Sequence, residues 1–126
     1  MHALRHVHEL VAPGGTLVDV HPVTEEHVEA AGGPVGVIRE PEWVSVELPN
    51  SESALRQTIA EGLYELEVET DYDVLQHFDR PEELIEAKSD LLEEQRELVA
   101  AIRAAPPPLA TRMHVVFRRL RVLTAT

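Results

Sequence analysis

The chain contains no cysteine. That excludes a disulfide framework, a thiol nucleophile and a Cys-ligated zinc site, and it fits a reducing compartment. Positive charge is scarce too. Eleven Lys and Arg stand against 23 Asp and Glu, giving a formal net charge of −12. Such an acidic chain is poorly suited to neutralising phosphates, so neither nucleic acid nor an anionic membrane surface is expected as a partner. No apolar run approaches the ~20 residues of a membrane-spanning helix. The opening MHALRHVHELVAPGG is interrupted by His and Glu where a secretory leader would be apolar. A cytoplasmic location is the expectation. What is present is enough for one hydrophobic core: 126 residues, 44% of them hydrophobic, which predicts a single domain over 1–126.

Periodicity gives the elements. Ala3, Leu4, Val7, Leu10 and Val11 recur at three- and four-residue spacing and predict an opening amphipathic helix. Ala12-Pro13-Gly14-Gly15 stops it. Thr16-Leu17-Val18-Asp19-Val20 then reads as a buried strand closed by His21-Pro22. Thr24-Glu25-Glu26-His27 looks like a helix start, and residues 35–48 suggest a hairpin turning at Glu40-Pro41-Glu42. A second helix is expected from Asn50 or Ser51 to about Gly62. From Tyr64 to Tyr72, apolar even positions alternate with acidic odd ones, the pattern of a strand with one wet face. Asp73 to Phe78 breaks that alternation and suggests a bulge or turn. Asp79-Arg80-Pro81-Glu82 begins a helix expected to run to about Ala105, packed on a sheet.

The last segment, 113–123, is rich in β-branched residues and predicts a strand. It carries Arg118, Arg119 and Arg121, with Arg112 just before it, while Glu65, Glu67, Glu69 and Asp71 line the alternating strand. Opposite charges across paired strands stabilise by ~0.2–1 kcal/mol each. The two segments are therefore expected to be antiparallel neighbours, with the last strand also beside 16–20 and thus in the middle.

The run ALRHVHELVAPGGTLVDVHP resembles the late helix, Pro-Gly-Gly turn and fifth strand of class I S-adenosylmethionine-dependent methyltransferases, with Leu4, Arg5, Pro13, Gly14, Gly15, Leu17 and Val18 matching. GLYELEVETDYDVLQHFDRPEELIE is similar to that family's sixth strand and following helix, and VVFRRLRVL to its seventh. The resemblance spans nearly the whole chain. It implies an α/β fold of α+β-like character: half of a Rossmann-like methyltransferase sheet, with mixed strands, covering helices and an extra hairpin. The family holds its cofactor in its first half, through a Gly-rich loop and an acidic strand end. The Gly clusters here, Gly14-Gly15 and Gly32 to Gly36, do not join a buried strand to a helix in that order. The expectation is a chain without a catalytic residue or bound cofactor of its own, acting as a binding or assembly module. A homodimer or a complementing chain is the expected partner, and a small molecule stays open as one. The alternative is the C-terminal part of an active methyltransferase, with S-adenosylmethionine held by a half supplied elsewhere. A third reading is a small-molecule-binding α+β protein unrelated to that family.

For chemistry the sequence offers little. Asp19 and His21 lie at the carboxyl end of the first strand, where open α/β sheets place their ligand crevice. The resemblance makes them candidate substrate contacts, with His21 a contact or a base. A strand-end histidine bonded to a loop is the structural alternative. His6 and His8, two apart on a helix, point about 200° apart and cannot share a metal. His77 and His114 suggest a meeting across paired strands without a third ligand, so no metal is expected. The thirteen acids and three bases from Glu65 to Glu97 read as solvated faces.

Overall fold

A computed structural model describes residues 2–124 of the chain, with the side chains of His2 and Ala3 outside that description. The fold is mixed α and β, with five strands in an antiparallel sheet. They are β1 (Thr16–Pro22), β2 (Glu26–Ala30), β3 (Gly33–Ile38), β4 (Tyr64–Phe78) and β5 (Leu109–Val122). Hydrogen bonding runs in the order β1-β5-β2-β3, with β4 also paired to β5. The last strand in sequence is therefore the shared one, as its apolar residues on both parities required. The arginine ladder sets the direction of β4 against β5. Arg121 pairs with Glu65, Arg119 with Glu67, Arg118 with Glu69 and Arg112 with Asp73. As the β5 number falls the β4 number rises, which is an antiparallel register. Among the described residues no helix is long and apolar enough to cross a membrane.

Contacts divide the chain into two compact units, and β4 and β5 each contribute to both. The first comprises residues up to His21, Glu42–Asp71 and those from Val116 onward. Its core is Leu55, Tyr64, Leu120 and Val122, with Leu4, Val11, Leu17, Ile59 and Leu63 packed against them. Each fully buried Leu or Val is worth ~1.5–3 kcal/mol. Helix α1 (His2–Leu10) follows the expected stripe only in part, because Leu10 is 72% exposed. His8 is no solvent-facing polar residue: its Nε2 lies 2.8 Å from the Leu123 carbonyl oxygen and its ring meets Tyr64 edge-on.

The turn after α1 shows why it is Pro-Gly-Gly. Gly14 has φ +85°, which costs an L-residue, and its N–H donates to the Val122 carbonyl at 2.8 Å. A Cβ on Gly15 would lie 2.7 Å from Val11 Cγ1 and 2.9 Å from the Ala12 carbonyl oxygen. Both glycines are demanded by backbone geometry.

The expected hairpin over 35–48 is corrected. Its second arm is helical: a π-helical turn, Trp43–Glu47, runs directly into α2 (Leu48–Ala60). Pro49 explains its distortion. A proline inside a helix has no N–H for the carbonyl four residues back. Here the neighbouring Leu48 N–H reaches five residues back to Trp43 O, widening the turn just ahead of the ring. The alternation of Val44, Val46 and Leu48 mimicked a strand, yet Val44 and Val46 are exposed. Helix α2 ends as Gly62 (φ +80°) lets the Leu63 N–H return to Thr58 O at 3.0 Å.

The second unit comprises Pro22–Pro41 and Tyr72–Val115. Its hairpin is β2–β3, so the expected helix start at Thr24 is also corrected. Gly33 at φ +124° serves the connection, and Val28 and Ile38 are fully buried between strands and helices. β4 continues without a turn through Asp73 to Phe78. The expected single helix after Pro81 is three: α3 (Pro81–Ala87), α4 (Ser89–Leu92) and α5 (Arg96–Ala104). The Gln95 side chain accounts for the second break. It donates to the Leu91 and Arg39 carbonyls at 2.7 and 3.1 Å and accepts from the Arg39 N–H at 2.9 Å, replacing helical bonding with a tie to the end of β3. The breaks let Leu84, Leu92 and Ile102 share one core with Val28, Ile38, Phe78 and Leu109.

Candidate functional site

Asp19 and His21 are brought together. They stand two apart on β1 and so share a face. His21 Nδ1 lies 2.9 Å from Asp19 Oδ2, and Nε2 lies 2.5 Å from Oε1 of Glu52 on α2. Arg118 completes the group from β5. It donates to both Glu52 oxygens, at 3.2 and 2.8 Å, and through Nε to Glu69 at 2.7 Å, with Asp19 Oδ2 at 3.6 Å. The Arg118 side chain is only 9% exposed.

The electrostatics follow from these distances. Burial pushes the Glu52 carboxyl up, but hydrogen bonds from Arg118 and His21 outweigh it and leave it below the ordinary range. Burial likewise opposes charge on Arg118, and the bonds to Glu52 and Glu69 outweigh it, so the guanidinium is more strongly protonated than usual. Both ring nitrogens of His21 face carboxylate oxygens, and neither is turned toward a substrate. The cluster can hold β1, α2, β4 and β5 in register. Proton transfer would first require one of these bonds to open.

Sequence reasoning named Asp19 and His21 as site residues and set Arg118 and Glu69 on facing strands, but did not join the two pairs, and it missed Glu52. A signal was there. On β5, Arg119 and Arg121 fall on the exposed parity, whereas Arg118 shares parity with buried Leu120 and Val122. An arginine on the apolar parity of a strand must find carboxylates.

The other histidines are placed apart. His114 Nδ1 lies 2.7 Å from Asp73 Oδ1, while His77 lines a shallow depression with Pro108, Leu109 and Ala110. Among the described residues no group of three His, Asp or Glu side chains has the arrangement to hold a metal ion. No protein-family model matches the chain, and neither the curated proteins nor the solved structures contain a match.

Proposed function

We propose that the chain is a methyltransferase-like domain, corresponding to the half of a Rossmann-like sheet that holds the fifth to seventh strands, and that it works by assembly rather than by catalysis of its own. One observation supports this reading: β5, last in sequence, pairs with both β1 and β4, antiparallel to β4, and also with β2, with β1 at the end of the strand order. The pairing of β5 with β1 and β4 is the one expected from the charge pattern and fits a half sheet of this kind, while the β2–β3 hairpin beside β5 is an addition to it. On this reading the chain is cytoplasmic, carries no cofactor alone, and meets S-adenosylmethionine only when a cofactor-binding half completes it.

The partner we propose is a second copy. Thr16–Val20 contains neither Lys nor Pro, the usual protection of an open edge. Val18 and Val20 are about half exposed, at 52% and 49%. A two-fold axis through Val18 would set Val18 opposite its own copy and Thr16 opposite Val20. An axis through Asp19 would oppose two carboxylates and is disfavoured. Sedimentation across micromolar dilution should give twice the 14.1 kDa chain mass, and Val18→Lys, which sets like charges face to face, should return the monomer. A monomer at every concentration defeats the assembly reading.

The alternative keeps the domain inside an active methyltransferase. Asp19 and His21 at the carboxyl end of β1 favour it, since that is where such sheets receive ligands. Calorimetry with S-adenosylhomocysteine separates the two: binding by the isolated chain contradicts a module without a cofactor site.

A further inference from the structure

The second unit carries a groove that neither reading uses. Its strands show their apolar parity to the helices: Val28, Ala30, Val35 and Ile38 pack in the core. The opposite parity is left open. His27 stands opposite both Val37 and Arg112 in register, and Glu29 opposite Pro34. Together with Asp73 these residues line a cavity of about 360 Å³, within the ~300–1,000 Å³ usual for small-molecule sites.

Pro34 and Val37 give the groove an apolar floor. Its acidic and basic side chains are Arg112, Glu29 and Asp73, with the imidazoles of His27 and His114 also in the lining. Arg112 Nε donates to Glu29 Oε1 at 2.6 Å and Nη1 to Asp73 Oδ2 at 3.0 Å. The Arg112 bond holds Glu29, and the His114 and Arg112 bonds hold Asp73, below the ordinary carboxylate range, so both are ionised at neutral pH. Apart from the imidazoles of His27 and His114, two carboxylates against one guanidinium leave 1 − 2 = −1. An incoming anion would have to displace Glu29 or Asp73 from Arg112. An incoming cation meets two carboxylates with lone pairs to spare, because each carboxylate accepts up to about four hydrogen bonds.

We propose that this groove binds a small organic ammonium ion with an apolar body: the body over Pro34 and Val37, the ammonium against Asp73 and Glu29. The proposal does not rest on the reading of β1 and its partner, and the two fail separately.

The test is an NMR titration of the full chain with three probes of one shape: 2-phenylethylammonium, 2-phenylethanol and 3-phenylpropionate. The ammonium should shift the amides of residues 27–29, 36–37 and 112, with Kd on the order of 1 mM for a ligand of about nine heavy atoms. The alcohol and the carboxylate should bind at least tenfold more weakly. Asp73→Asn should weaken the ammonium about tenfold and leave the alcohol unchanged. Val37→Lys on the edge strand, which places a cation in the groove itself, should abolish the ammonium shifts while the spectrum stays dispersed. Equal binding of all three probes, tighter binding of the carboxylate, shifts confined elsewhere, or no shift at 10-fold the expected Kd would each overturn the proposal.

Discussion

The two units use the same chemistry to opposite ends. Each sets one arginine of β5 among carboxylates with a histidine close by. In the first, Arg118 is almost fully covered, and Asp19, His21, Glu52 and Glu69 spend their polar atoms on one another. In the second, Arg112 is 40% exposed and its cluster borders an apolar cavity. The difference lies in cover, since both arginines hold even positions of β5. Arg118 falls on the face that α1 and α2 close, Arg112 on the face away from α3–α5. A covered charge cluster is a structural clamp, whose loss leaves ions without solvent. An open one costs little to disturb and is free to meet a ligand.

The sharpest way to break this contrast is to remove each arginine in turn. Arg118→Ala strands Glu52, and in part Asp19, beside a covered site, while Glu69 turns to water, and a broken buried ion network costs about 3 kcal/mol. Arg112→Ala leaves Glu29 and Asp73 to water and should cost less than about 1 kcal/mol. Urea unfolding followed by circular dichroism measures both. Equal losses would mean that cover does not distinguish the two clusters.

A smaller effect separates two glycines. In the first unit, Gly15→Ala drives a methyl into Val11 Cγ1 and the rigid Ala12 carbonyl, at about 1–3 kcal/mol. In the second, the Cβ of Gly36→Ala would meet Leu98 Cδ1 alone, at 2.7 Å. That is the free end of a flexible side chain, and the cost should stay within about 1 kcal/mol. Thermal midpoints of the two variants rank them. A larger loss at Gly36 would show Leu98 to be locked in place.

How much of this was legible depended on whether one period dominated the local pattern. Tyr64–Tyr72 alternates cleanly and the last segment is basic, so their pairing and the central place of β5 could be read directly. The Pro-Gly-Gly turn was readable because only glycine meets its geometry. Residues 43–48 misled, since Val44, Val46 and Leu48 alternate like a strand while the widened turn before Pro49 keeps them helical. Reading 24–27 as a helix start hid β2, and with β2 went the register that places Glu29, Arg112 and Asp73 at one groove. The helix after Pro81 looked continuous because Gln95 is an ordinary helix former. Its break comes from bonds to Arg39, more than fifty residues away. Asp19 and His21 were found from strand position, whereas their partners depended on long-range pairing.

The smallest expected effect concerns acid. Glu52 in the first unit and Glu29 and Asp73 in the second all have carboxyls held below their ordinary range when folded. The unfolded chain then binds more protons than the folded one between the two sets of values. The stability these groups contribute is complete above their unfolded pKa of about 4 and is lost as pH falls through the folded values. Urea midpoints should therefore be insensitive to these groups from pH 7 to about 5 and decline below about 4.5. The contrast between units predicts how the decline divides. Arg118→Met removes the guanidinium that holds Glu52 down and should flatten the acid slope visibly. Asp73→Asn, on an exposed carboxylate screened by solvent, should flatten it only slightly. If the two variants flatten the slope equally, the second cluster is as tightly held as the first, and the groove beside it is then part of the structural clamp, closed to a ligand.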